Sequence, residues 1–531
     1  MRPENAKSMA LILAAAAMSL GTGMQCAPTA SPDIISFTAD PESVEPGESS
    51  TLTWDVFGAT SLSISPDIGP VTGTSTTVSP SGTTTYTLTA VGAGGTATAT
   101  ATVTVSAPPS DSLFYVSPGG DDTNPGTETQ PWRTIQKAAD SLVAGQTVYI
   151  MAGTYAERVM PQNSGTADNF ITFAAQPGAA VTIDGSSVTL PDDLAGLFEI
   201  AFNDYIRVTG LRIVNAGPNT DNAAILVRHG SHITIDDNAT DHTASSGIGV
   251  WDSDNVIIDG NTVDHAGEAG GQECISVAVT DTFEVRNNTV RDGSKEGICL
   301  KDGSSNGKVY GNVVEGTYGV GVYVDAWDKH TFNIEISQNT VYDVAGEGIV
   351  AASEMGGLLE NVSIFNNVVF HNEFVGIHII PNGLVPDSPM DNIQVVNNTV
   401  VNNGWDDFGG AIAVDNTAAT DIVLRNNICS QNLSFQIVVG AGTPAVTIDH
   451  NLIDGYQGFE GNETRGTDYV EGDPMFTDAA TADFHLQSGS PAIDSGSSTD
   501  APSSDFDDQS RPVDGDDDGT ATWDIGAYET P

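Results

Sequence analysis

One residue type returns along the second half of the chain at a nearly constant interval. Asn238, Asn261, Asn288, Asn312, Asn339, Asn367, Asn398, Asn427 and Asn451 are spaced 23, 27, 24, 27, 28, 31, 29 and 24 residues apart. Two further series keep step with them. Gly247-Ile248, Cys274-Ile275, Gly297-Ile298, Gly321-Val322, Gly348-Ile349, Gly376-Ile377 and Gly410-Ala411 lead the periods, and apolar triplets such as Val256-Ile257-Ile258, Ile334-Glu335-Ile336 and Ile422-Val423-Leu424 fall between. A period of roughly 20–50 residues is the mark of a solenoid. Three short strands per period, each period ending in an Asn turn, predict an all-β right-handed parallel β-helix with three-strand coils. Asn suits such a turn because it tolerates left-handed backbone angles and its amide can bond the Asn of the next rung. The Leu spacing of leucine-rich repeats is absent.

The rest of the chain divides by composition. Arg2 and Lys7 precede the apolar run Met9–Leu20, and small residues follow, the layout of a secretory signal too short to span a membrane. Residues 1–25 are therefore expected to be a signal peptide. Cys26 stands where a lipid anchor would attach, with simple secretion as the alternative. Residues 33–106 alternate apolar and polar positions, are rich in Thr and Val and are broken by Gly, Pro and Ser, which predicts a small β-sandwich with Trp54 in its core. This stretch resembles the immunoglobulin-like modules of bacterial surface proteins, although the Cys pair of antibody domains is absent. Residues 107–112 form the linker, and 113–531 the β-helix with its acidic C-terminal tail. Net charge is −53, which excludes nucleic acid as a partner. No apolar run is long enough for a transmembrane segment. Oligomeric state is not readable.

The segment Phe114–Asp122, the run Pro131-Trp132-Arg133-Thr134-Ile135-Gln136-Lys137-Ala138-Ala139 and Gly153-Thr154-Tyr155 with Gly185 resemble the opening of secreted pectate-lyase-like β-helix proteins. On that resemblance Thr134–Leu142 is the amphipathic helix capping the coil. The Arg511-Pro512 and Asp524–Glu529 region resembles the C-terminal ends of the same superfamily. The resemblance implies the fold; the superfamily hosts lyases, hydrolases, epimerases and adhesins, so it leaves activity open.

Strand alternation places the candidate site. With Ile and Val of each Gly-Ile-x-Val-x unit turned inward, the outward pairs are Gly249 and Trp251, Ser276 and Ala278, Cys299 and Lys301, Tyr323 and Asp325, Val350 and Ala352, His378 and Ile380, and Ala413 and Asp415. Lys301 and Asp325 are expected to be neighbours on an exposed face. The adjoining turns add Asp328, His330 and Glu354 as catalytic candidates. Four of the six lysines fall within 295–329, a concentration that singles out Lys301. Trp251, Tyr323, Trp327, Lys329, His378 and Trp405 are candidate substrate contacts, since flat rings stack on sugars.

These residues suit two reactions on an extracellular polysaccharide. An Asp/Glu pair can act as the acid and base of glycoside hydrolysis. Alternatively, cation-bound carboxylates neutralise a uronate while Lys301 or His330 removes its C5 proton, as β-elimination requires. Glu273-Cys274-Ile275-Ser276 followed by Gly297-Ile298-Cys299-Leu300-Lys301-Asp302-Gly303 resembles the rung pair of alginate and chondroitin lyases. That resemblance implies Glu273 as a Ca²⁺ ligand and Lys301 as a basic catalyst; Ala278 stands where those lyases carry their other lysine. Asp302 is a further candidate ligand. Asp514, Asp516 and Asp518 match half of a calcium loop, with Ile525 in place of its terminal Glu. The expectation is thus a secreted or cell-surface polysaccharide lyase, with a glycoside hydrolase and a non-catalytic glycan-binding adhesin as alternatives.

Overall fold

The structure is a computed structural model that describes residues 31–44, 49–80, 82–105, 112–381, 388–405, 408–516 and 518–531. The expected signal peptide and Cys26 lie outside the described residues, as does all of the expected linker but Ser112. The chain separates into two compact units, Met1–Ala107 and Pro108–Pro531.

In the first unit a three-stranded and a five-stranded sheet share one core. Strand Ser50–Phe57 shows why: Leu52 and Trp54 are buried, whereas Thr51, Thr53 and Asp55 between them are exposed. Trp54 is held by its indole N–H, which donates to the Gly73 carbonyl at 2.9 Å.

The second unit is a parallel β-solenoid. Its described strands form parallel sheets of 13, 13 and 10 strands, each strand pairing with its counterpart one turn later. Like side chains stack from rung to rung. Ile225, Ile248, Ile275, Ile298, Val322, Ile349, Ile377, Ile412 and Ile437 form one in-register inward column, and all are fully buried. A helix, Ile135–Ser141, caps the N-terminal end. Thr134 caps it by accepting from Lys137 N, and the Glu157 carboxylate accepts from Ile135 N and Gln136 N, so the free amides at its start are satisfied. No helix among the described residues is long and apolar enough to cross a membrane.

The repeated asparagines form one unbroken ladder from Asn238 to Asn451. At each step both the backbone N–H and the side-chain amide donate to the side-chain oxygen of the next Asn. Asn312 also donates to the Val285 carbonyl at 2.8 Å. The expectation that these Asn take the left-handed conformation is corrected. That conformation falls on the residue before: Asp237, Asn287, Gln338, Asn366, Asn397, Asn426 and His450, with Gly260 and Gly311 on the other rungs. The ladder Asn is therefore required for its amide, and its predecessor for its backbone. A second, shorter ladder runs through Asn372, Asn403 and Asn432.

The acidic C-terminal segment packs back on the coil. Asn397 donates to the carbonyls of Asp524 and Gly526, Arg425 pairs with Asp500, and Phe484, Ala527 and Tyr528 bury against Val368 and Val401.

Asn312→Ala removes the acceptor shared by the backbone and side-chain N–H groups of Asn288. An unpaired buried polar group costs about 1–3 kcal/mol, so thermal or urea unfolding of Asn312→Ala and Asn339→Ala should each show a loss of that order or more. Wild-type stability in both would contradict the ladder.

Candidate functional site

The outward face of the ten-stranded sheet follows the expected register: Gly249, Ser276, Cys299, Tyr323, Val350, His378 and Ala413 align in one column. Two positions on, Arg228, Trp251, Ala278 and Lys301 align, and Asp325, Ala352 and Ile380 continue the same column. The face is not exposed, however. Ser276, Cys299, Val350 and Ala352 are all buried, Cys299 packs with Tyr323, Val350 and Ala352 in a satellite apolar cluster, and Asp325 is only 4% exposed. Charged groups placed here are stripped of water, which raises the stakes of every pairing.

Lys301 does not pair with Asp325 as expected. Its ammonium donates to both oxygens of Glu273 at 2.8 Å and to Gln272 Oε1 at 2.9 Å, which uses all three protons. Ser276 donates to the same carboxylate. Burial works against both charges, but each partner outweighs it: Glu273 is held below its ordinary range by Lys301, and Lys301 above its own by its acidic neighbours. A lysine so held is a fixed cation rather than a resting base.

Asp325 takes the opposite course. Burial, with the Glu354 and Asp302 charges added, pushes it up to about 8. Its Oδ1 is shut off from water and has no hydrogen-bond partner among the described residues. No lysine offsets this burial in full, because Lys301 is committed to Glu273. Glu354, also buried, accepts from the Tyr323 hydroxyl. Asp302 is held above its ordinary value by burial, which the Lys301 and Lys329 charges only partly offset. A neutral carboxyl beside an ionisable one is the arrangement that separates a general acid from a general base.

Other expected residues stand apart. Trp327, Asp328, Lys329 and His330 lie on an exposed turn, and His330 pairs with Glu360 at 2.8 Å and packs on Phe332. Trp251 lies folded over its own rung: a Cβ at Gly249 would meet its ring at 2.1 Å. Trp405 stands in the turn entering strand Gly410–Val414, at the opposite end of the strands from Trp251 and Trp327, and stacks with His371. His378 is buried between Asp415, 3.0 Å from Nε2, and Glu347, 3.7 Å from Nδ1. Burial lowers its pKa, but those two carboxylates reverse the sign and raise it.

The sequence reading missed four participants. Gln272, Glu347, Asp415 as the partner of His378, and the buried Glu199 clamped by Arg158 and Arg228 all belong to this face or its edge. Outward alternation in Ala195–Ala201 would have found Glu199, since Leu226 opposite it aligns with Gly249.

Glu273 and Asp302 do not fit a calcium site together, because Glu273 is consumed by Lys301 and Ser276. In the C-terminal segment the ligand atoms of Asp494, Asp514 and Asp516 lie within 4.8 Å of one another. Asp518 is not in that group; its backbone N–H donates instead to Asp514 and Asp516. Asp494 was not visible as a partner in the linear calcium-loop pattern.

Residues 114–409 match the family described as the Pel9A-like, right handed beta helix region. The uncharacterized protein YwoF of Bacillus subtilis (strain 168) is 28% identical over 452 residues, spanning 72% of this chain and 92% of that protein. Pectate lyase PEL9 of Emericella nidulans is 34% identical over 116 residues, which are 20% of this chain and 28% of that protein. The crystal structure of pectate lyase Pel9A superposes with a TM-score of 0.48 at 17% identity, covering 79% of this chain and 96% of that one.

Two predictions follow from the charges. Lys301→Met leaves Glu273 buried without its cation and should cost about 3–5 kcal/mol; the double variant Lys301→Met/Glu273→Gln should recover most of it in a denaturation series. For Asp325 the folded protein holds the proton more tightly than the unfolded chain, so stability is lost as pH rises from the ordinary carboxylate range to about 8. Asp325→Asn should flatten that decline in melting temperature; an unchanged pH profile would contradict the raised value.

Proposed function

The chain belongs to the Pel9A-like right-handed β-helix family, and on that premise we propose that it is a secreted or cell-surface enzyme that cleaves an extracellular, uronate-containing polysaccharide by acid–base hydrolysis at Asp325 and Glu354. The observation that carries this reading is the burial of the Asp325 carboxyl, 4% exposed and with its Oδ1 unpartnered among the described residues, which pushes its pKa up to about 8. A neutral carboxyl can give its proton to the glycosidic oxygen as the bond to the anomeric carbon breaks. Glu354, accepting from Tyr323, then acts as the partner carboxylate. It either attacks the anomeric carbon itself or takes a proton from the attacking water, according to the carboxylate separation. The excess positive charge of Arg158 and Arg228 around Glu199 supports binding of an acidic glycan, whereas the charge of Lys301 is matched by Glu273. Arg228 lies three rungs from Lys301, about 14 Å along the coil. Trp327, 41% exposed at the strand ends, offers a stacking surface.

A second reading, β-elimination, is supported by the name of the relative PEL9, a pectate lyase; against it, the residue in register with Lys301 is Ala278, where the resembled lyases carry their other lysine. Elimination also requires Lys301 to lose its proton, which the Glu273 pair opposes. The acidic loop at Asp494, Asp514 and Asp516 is proposed as a structural Ca²⁺ site away from this chemistry, in keeping with oxygen-only ligands.

Digestion of a panel of uronate-containing glycans separates the two reactions. Hydrolysis yields new reducing ends without the ultraviolet chromophore of an unsaturated uronate; appearance of that chromophore would overturn the hydrolytic reading in favour of elimination. Asp325→Asn should retain the fold and lower kcat by about a hundredfold or more.

A further inference from the structure

Away from this face, a second constellation is built on the turns that leave the second sheet. Strands Ala239–Asp241, Thr262–Asp264 and Thr289–Arg291 stack in register, so Asp241, Asp264 and Arg291 align. The next residue on each rung is left-handed: His242, His265 and Asp292. The two imidazoles stack 4.7 Å apart. Each aspartate turns one oxygen outward to an arginine, Asp241 Oδ2 to Arg212 at 2.6 Å and Asp264 Oδ2 to Arg291 at 2.8 Å. Each turns its other oxygen toward the histidines. Asp241 Oδ1 lies 3.5 Å from His265 Nδ1 and 3.6 Å from His242 Nε2. Asp264 Oδ1 and His265 Nδ1 stand 2.8 Å apart. Both atoms are closed to water, yet neither makes a hydrogen bond among the described residues.

We propose that Asp241, His242 and His265, whose ligand atoms lie within 4.8 Å of one another, form a binding site for a divalent transition cation of the zinc type, with Asp264 beside His265 at its edge. Four features support it. The donors are two imidazole nitrogens and one carboxylate oxygen, His242 Nε2, His265 Nδ1 and Asp241 Oδ1, a set that favours zinc and its neighbours over calcium. Ligand atoms bound at about 2.1 Å in a tetrahedron stand ~3.4 Å apart, close to the 3.5 and 3.6 Å separations seen here. Glu268 lies 2.7 Å from His242 Nδ1; by accepting that N–H it fixes the tautomer with the Nε2 lone pair toward the site, as outer carboxylates do for metal-bound histidines. Arg212 fixes Asp241 through Oδ2, the oxygen the metal does not need. Asp292 Oδ also reaches the cluster, within 4.8 Å of Asp264 and His265. The site would pin the start of the segment that runs from Asp264 to Glu273 and delivers Gln272 and Glu273 to Lys301.

The test is calorimetric titration of the chelator-treated full chain with ZnCl₂, followed by melting with and without the metal. Wild type should bind one zinc ion at this site and melt at higher temperature with it. His265→Ala should abolish that binding. Glu268→Gln, at a half-exposed position that leaves every direct ligand in place, should weaken it by about 10–100-fold; this variant carries the test if His265→Ala fails to fold. His371→Ala, at the same turn position on a distant rung, should bind as wild type does. Absence of zinc binding by wild type, or equal binding by wild type, His265→Ala and Glu268→Gln, would overturn the proposal.

Discussion

Everything in the second unit depends on an amide that reaches one rung ahead. Each ladder Asn accepts from two donors of the preceding Asn and donates to the next, so a turn cannot slip by one residue without breaking the bonds on both sides. Parallel strands stacked at about 4.8 Å then bring the same position of every period into one column. Isoleucine stacks on isoleucine inside, and on the outside whatever the sequence supplies is held beside its equivalent on the next rung. The coil thus turns a one-dimensional choice of residue into a two-dimensional surface.

That surface explains the chemistry available. Ordinary outward positions would meet water, but here the column from Ser276 to Val350 is covered and dry. Lys301 and Glu273 are compatible with that burial because they saturate one another. Asp325 has no such partner and meets the demand by keeping its proton. The same burial therefore produces a permanent ion pair on one rung and a neutral acid on the next, and the difference between them is the position of one lysine side chain.

The fold was legible because its signal is periodic: spacing alone located all nine ladder asparagines and the inward columns. The cap helix was legible through the resemblance carried by Pro131–Ala139, and Ile135–Ser141 forms it. The site was legible as a face but not as a set of pairings. Alternation says that Lys301 and Asp325 are on adjacent rungs; it does not say that the Lys301 ammonium turns back to Glu273 and Gln272, since a flexible side chain chooses among neighbours by burial and hydrogen bonding. Turn residues were the least legible. His330 and Trp405 were grouped with the site by proximity in sequence, whereas the turns carry them to the surface or to the other end of the strands. His242 and His265 escaped notice for the same reason: their kinship is one of turn position across rungs, and only the stacked coil brings them together.

The proposed chemistry depends most heavily on the protonation of one carboxyl. Carbon-13 NMR of the chain labelled at aspartate carboxyl carbons, with Asp325→Asn used to assign the signal, measures it directly. The structure predicts that the Asp325 resonance stays in its neutral form through pH 7 and titrates near pH 8. Titration in the ordinary range around pH 4 would show that the carboxyl is ionised at rest, and would contradict its assignment as the acid of the reaction.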